Sequence, residues 1–105
     1  MEPDPKYEQK YYETLKAIIL GKLQTKNCSV FLFGSRATGN FKWGSDFDIG
    51  ISGLSEDEFL RLKYEILDRI EESIVPWKVD IINFDTADNK FKKKALQDYE
   101  VWKSA

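Results

Sequence analysis

An α+β fold, with a small mixed three-stranded sheet packed against helices, is what this sequence predicts, and three observations carry it. Two stretches have the three-and-four-residue apolar spacing of amphipathic helices, three short runs have strand character, and their order is helix, strand, strand, helix, strand, helix. The connection between the first two strands is short, which favours an antiparallel pair. A helix links the second to the third, long enough for a parallel crossover. At 105 residues the chain is expected to form one domain, residues 1–105.

The elements follow in order. The acidic, proline-rich start Met1-Glu2-Pro3-Asp4-Pro5 is unlike a signal peptide, and residues 1–5 are expected to be disordered. From about Lys6 to Gln24, the residues Tyr7, Tyr11, Leu15, Ile18, Ile19 and Leu23 recur on one helical face. Ser29 to Phe33 is an apolar run of β-formers bounded by Asn27 and Gly34. Asp46 to Ser52 alternates, with Phe47, Ile49 and Ile51 on one side and Asp46, Asp48 and Gly50 on the other. Ser55-Glu56-Asp57-Glu58 is a capping box opening a helix whose buried stripe is Phe59, Leu62, Ile66, Leu67, Ile70 and Ile74. Trp77 to Phe84 reads as the third strand. Asp85 or Thr86 then caps a last helix in which Phe91, Ala95, Leu96, Tyr99 and Trp102 share a face.

Composition removes several function classes. The net charge of -2 argues against duplex DNA as a partner. There is no histidine and only one cysteine, Cys28. A disulfide framework, a Cys/His zinc site and a histidine-based nucleophilic mechanism within the chain are therefore excluded. Cys28 sits in apolar surroundings and is expected to be a buried small hydrophobe, a pattern that suits the cytoplasm. No apolar run approaches the ~20 residues of a membrane span.

Carboxylates remain as the strong candidates for chemistry. Gly34 ends a strand and lets an anion approach the backbone closely, and Ser35 adds a hydroxyl and an N–H. Arg36 can add positive charge there or pin the loop by pairing with a carboxylate. Taken alone, the turn is equally well a tight connection between strands. Asp46 and Asp48 lie two apart on a strand, on one face, within reach of a common Mg²⁺, which prefers hard oxygen ligands and substrate phosphates. Asp80 interrupts the apolar Val79-Asp80-Ile81-Ile82. An Asp there needs a partner: a metal shared with the other two carboxylates if the strands are neighbours, or a salt bridge to Arg36 or a lysine.

Gly34-Ser35-Arg36-Ala37-x-Gly39, followed after a short loop by Ser45-Asp46-x-Asp48-Ile49, resembles the nucleotidyltransferase signature of the DNA polymerase β superfamily. The brevity of the chain resembles the minimal nucleotidyltransferases of bacteria and archaea. The resemblance implies a polymerase β-like palm fold and transfer of a nucleoside monophosphate, AMP from ATP, to a hydroxyl. It implies nucleotide binding by Gly34, Ser35, Arg36 and Ser45, and Mg²⁺ on Asp46, Asp48 and Asp80, with Asp80 assisting deprotonation of the acceptor. Many members carry a second arginine where Thr38 stands here, a departure that bears on a phosphate contact at this position and not on the metal site. The resemblance further implies a small helical HEPN-type partner protein in a toxin–antitoxin pair, with a partner tyrosine as acceptor, and allows an oligomer. Transfer to a small molecule or a nucleic-acid end, or contact inhibition without catalysis, are the alternatives. Phe41-Lys42-Trp43 and Tyr99, Val101 and Trp102 are candidate partner contacts, with core packing the competing role for Tyr99 and Trp102. Lys90, Lys93 and Lys94 read as a solvated helix face.

Overall fold

Residues 5–38 and 46–105 are described in a computed structural model of the chain, with the side chains of residues 5–7 and 38 excepted. Gly39, the Phe41-Lys42-Trp43 loop, Ser45 and residues 1–4 lie outside the described residues, so the expectations made for them are not addressed by it. Pro5, expected in a disordered start, is the first residue of a helix.

The elements are α1 (Pro5–Leu23), β1 (Ser29–Phe33), α2 (Ser35–Thr38), β2 (Phe47–Ser52), α3 (Glu56–Glu71), β3 (Val79–Asn83), α4 (Asn89–Ala95) and β4 (Tyr99–Lys103). The strands form one mixed sheet in the order β3-β2-β1-β4. β1 runs antiparallel to both β2 and β4, and β2 runs parallel to β3 through the α3 crossover.

The sheet has four strands where three were expected. The tail expected to continue a helix is β4. Tyr99 and Trp102 satisfy helical spacing, but Tyr99, Val101 and Trp102 are also β-formers that suit a strand. The free edge of β1 supplies an antiparallel partner, so ladder hydrogen bonds decide between the two. α4 is accordingly short. Asp88, rather than Asp85 or Thr86, caps it by accepting from the Phe91 N–H. Asp85 instead accepts from the Ser52 hydroxyl and the Gly53 N–H, tying the end of β3 to the turn after β2.

Alternation along the strands divides the sheet into two faces. On one, Val30, Leu32, Phe47, Ile49, Ile51, Val79, Ile81 and Trp102 pack against Leu15, Ile19 and Leu23 of α1 and Phe59, Leu62, Ile66 and Ile70 of α3. Cys28 is buried in this layer. Each fully buried aliphatic side chain here contributes roughly 1.5–3 kcal/mol, so this layer carries most of the hydrophobic stabilisation. Leu67 is partly buried against it. Ile74, expected on the buried stripe, is 52% exposed, because α3 ends at the Glu72 cap and the chain leaves the helical phase. On the other face a smaller cluster forms from Phe31, Phe33, Phe84 and Ala95. There Phe31 lies opposite Gly50, where a Cβ would fall 2.5 Å from the Phe31 ring. The missing side chain is what lets the ring lie flat across β2.

Candidate active site

Gly34, Asp48 and Asp80 meet on the open face, at the ends of β1, β2 and β3. In the parallel register Asp48 and Asp80 are direct partners, so their side chains leave the same face of adjacent strands. Asp48 also lies opposite Phe33, the residue before Gly34. Gly34 has φ +78, a left-handed conformation that favours glycine, and a Cβ on it would fall 2.5 Å from Asp48 Oδ2. The turn expected to approach phosphate therefore lies directly against a carboxylate expected to hold metal. Sequence separates the two by fourteen residues, and antiparallel pairing of β1 with β2 brings them together.

The electrostatics are those of crowded carboxylates. Asp48 is half-buried, and burial, followed by the charges of Asp80 and Asp46, raises its pKa above the ordinary carboxylate value, with Lys78 acting in the opposite direction. Asp46 is more exposed and its Oδ2 stands 4.0 Å from Lys78 Nζ. Among the described residues no three His, Cys, Asp or Glu side chains converge on one point closely enough to hold an ion. The donors nevertheless fit a hard divalent cation: oxygen ligands on adjacent strands, in mutual repulsion that a cation would relieve. Asp48 and Asp80 form the core of that set and Asp46 stands at its margin.

Of the two roles open to Arg36, pairing with a carboxylate is the one its surroundings carry. Ser35 and Arg36 begin the single turn of α2, in which Ala37 N–H donates to Gly34 O at 3.1 Å. The Arg36 side chain is 2% exposed. Its Nη1 donates to Glu8 Oε1 of α1 at 2.9 Å. Its guanidinium carbon lies 4.5 Å from the Phe47 ring centre and 4.7 Å from that of Trp77. Both rings belong to the helix-covered core. Arg36 thus fastens the Gly34–Ser35 turn to α1 by a charge pair and to the core rings by cation–π contacts. Glu8 and Trp77 were not singled out in the sequence. They are 28 and 41 residues from Arg36, and no local pattern marks them.

Two concavities flank the carboxylates. One, of about 420 Å³, opens beside the turn and is lined by Gly34, Ser35, Phe91, Lys94, Gln97 and Asp98 among others. The other, about 620 Å³, runs along the outer edge of β3, with Asp80, Lys78 and Lys63 in its wall. Lys94, read as part of a solvated face, is exposed but borders the first of these. Of the tail aromatics, Trp102 is buried in the core, while Tyr99 and Val101 are about half exposed.

Comparison with known proteins agrees with this geometry. The family model described as nucleotidyltransferase domain matches residues 13–103. The "Probable protein adenylyltransferase MntA" of Haemophilus influenzae is 32% identical over 73 residues, covering 70% of this chain and 63% of that protein, so the chain matches under two thirds of the relative's length. Among solved structures, a toxin–antitoxin complex with AMP-PNP superposes with a TM-score of 0.63 at 17% identity, over 86% of this chain and 73% of that one. The Shewanella oneidensis complex of a tri-AMPylated HEPN toxin with its MNT antitoxin gives 0.61 at 14% identity, over 89% and 72%. These two likenesses are of fold. With the family model spanning nearly the whole sequence, and with the Gly-Ser turn lying against the aspartates of β2 and β3, this chain belongs to the nucleotidyltransferase domain family.

Proposed function

We propose that this chain transfers AMP from ATP to a hydroxyl group, that of a tyrosine on a small helical HEPN-type partner protein, as one half of a toxin–antitoxin pair. The observation that carries the proposal is the contact of Gly34 with Asp48, beside Asp80. It sets a close-approach turn for phosphate against the carboxylates that would hold the cation. The names of the similar proteins support the acceptor class: a protein adenylyltransferase, and complexes with AMP-PNP and with an AMPylated HEPN toxin. The buried, unpaired Cys28 supports action in the cytoplasm.

In this reading Gly34 and Ser35 bind the β- and γ-phosphates, and Arg36 holds the turn in place from behind through Glu8. Asp48 and Asp80, with Asp46, would hold Mg²⁺, which neutralises phosphate charge and favours the deprotonated form of the attacking hydroxyl. The acceptor hydroxyl approaches from the β3 side, where the 620 Å³ groove leaves room beside Asp80. Its oxygen forms a bond to the α-phosphorus, the bond from that phosphorus to the bridging oxygen breaks, and pyrophosphate leaves. Asp80 receives the hydroxyl proton. The domain presents little surface of its own to orient a second substrate, so the partner supplies the orientation on which two-substrate transfer depends.

The test is to incubate the chain with ATP, Mg²⁺ and the product of the neighbouring gene and to measure intact masses. Added AMP on the partner, lost when a tyrosine is replaced by phenylalanine and absent with Asp48→Asn, is expected. An unmodified partner, with AMP appearing on RNA or on a small molecule, would assign the site a different acceptor.

A further inference from the structure

The cavity beside the Gly34–Ser35 turn is mostly apolar, floored by Phe33, Phe91 and Ala95, and Lys94 is the one basic residue among the described residues that line it. A triphosphate brings about four negative charges, and a neighbouring cation is the ordinary means of holding the terminal one. Arg36, the basic residue within the turn, is committed to Glu8 and stacked between Phe47 and Trp77 on the other side of the sheet. Thr38 stands where a second arginine would add charge. Of the neighbouring lysines, Lys92 Nζ lies 6.0 Å from the Phe84 ring centre, and neither Lys90 nor Lys93 borders the cavity. Among the described residues Lys94 has no ion pair, and the single acidic group lining the same cavity, Asp98, makes none either.

Position decides which phosphate is involved. Across the open face the order is Asp80 on β3, Asp48 on β2, the turn after β1, and then the cavity against α4. If the acceptor enters from the Asp80 side, in-line displacement sends the pyrophosphate the opposite way, over Gly34 and Ser35 and toward α4. The phosphate farthest from the reacting bond then reaches Lys94.

We infer that Lys94 binds the γ-phosphate of the nucleoside triphosphate and supplies the positive charge that Arg36 and Thr38 do not. This rests on the transferase reading above and deepens it by naming a residue outside the signature that selects a triphosphate over a diphosphate. With no ion pair among the described residues to hold it, the Lys94 ammonium turns to the phosphate on binding.

Calorimetric titration of the chain with ATP, ADP and AMP in the presence of Mg²⁺ tests it, using wild type, Lys94→Ala, Lys94→Arg and Lys90→Ala. Loss of a charge-assisted hydrogen bond should weaken ATP binding about tenfold in Lys94→Ala. ADP and AMP affinities should be unchanged, Lys94→Arg should recover most of the loss, and Lys90→Ala should match wild type. Equal ATP affinity in wild type and Lys94→Ala would overturn the inference and leave the transferase reading standing. An equal loss for all three nucleotides, or the same loss in Lys90→Ala, would also overturn it, since the effect would then be general electrostatics. Failure of the wild type to bind any nucleotide would instead remove the transferase reading, and this inference with it.

Discussion

The two faces of the sheet are made from the same strands, residue by alternate residue, yet they do opposite work. The face turned to α1 and α3 is a continuous apolar layer in which Leu15, Ile19, Ile49 and Ile66 are fully buried. The other face carries Gly34, Gly50, Asp48 and Asp80 among a few phenylalanines. On the first face every side chain adds burial. On the second, two positions give up their side chains to allow close approach, and burial, followed by repulsion from the neighbouring carboxylates, raises the proton affinity of Asp48. The difference indicates that the covered layer provides the stability that the open face spends on holding like charges together. Arg36 links the two, since it starts at the open-face turn and ends among the rings of the covered core.

Substitutions can break this comparison in order of size. On the proposed function, Asp48→Asn should reduce AMP transfer by about two orders of magnitude or more, because the cation the carboxylate would hold stabilises charge in the transition state. Without metal its melting temperature should hold or rise. Activity within a few-fold of wild type would remove the open face from the chemistry. Arg36→Ala should destabilise the chain by on the order of 3 kcal/mol in urea unfolding, since Glu8 loses its partner in a largely buried pair and two rings lose their cation. Arg36→Lys should recover only part of this, lacking the planar group that stacks. Full stability with lost nucleotide binding would mean that Arg36 serves the open face after all. Gly50→Ala should cost about 1–3 kcal/mol by forcing the Phe31 ring off the strand. A neutral result would show that the ring has room to move.

The smallest effect is one of pH. The Tyr12 hydroxyl is pushed up to about 12, first by burial and then by its hydrogen bond to Glu100. A group whose folded pKa is raised stabilises the fold fully below its unfolded value near 10 and loses that contribution as pH rises toward 12. Tyr12→Phe should therefore flatten the alkaline end of the stability curve and leave the neutral region little changed. An unaltered alkaline slope would mean that this link between α1 and β4 does not form in solution. For Asp48 the direction is also upward but the sense is a penalty: it is absent at low pH, where the carboxyl is protonated in both states, and grows as pH rises past the unfolded carboxylate value.

How far the sequence foretold this arrangement depended on how local the deciding interactions are. The bounds of β1, the Ser55 cap of α3 and the alternation through Asp48 are all set within a few residues, and all three appear where the patterns place them. Asp80 was legible because a helix between two strands implies a parallel neighbour, and the register sets it directly against Asp48. β4 was not, since Tyr99 and Trp102 fit helical spacing while the same stretch is rich in β-formers, and only the distant edge of β1 chooses between the two. The partners of Arg36 and the cavity next to Lys94 are likewise products of tertiary packing. They join residues tens of positions apart that carry no mark of their own.

The central claim is that the carboxylates of the open face are kept for a cation at the expense of the fold, and thermal melting with and without Mg²⁺ addresses it directly. Wild type and Asp48→Asn would be melted at neutral pH in chelator and again in excess Mg²⁺. A ligand that binds only the folded state stabilises it, so Mg²⁺ should raise the melting temperature of the wild type and leave Asp48→Asn nearly unmoved. In chelator the variant should be at least as stable as the wild type. A variant that melts lower in chelator, with Mg²⁺ shifting both proteins equally or neither, would contradict the account and make Asp48 a structural residue.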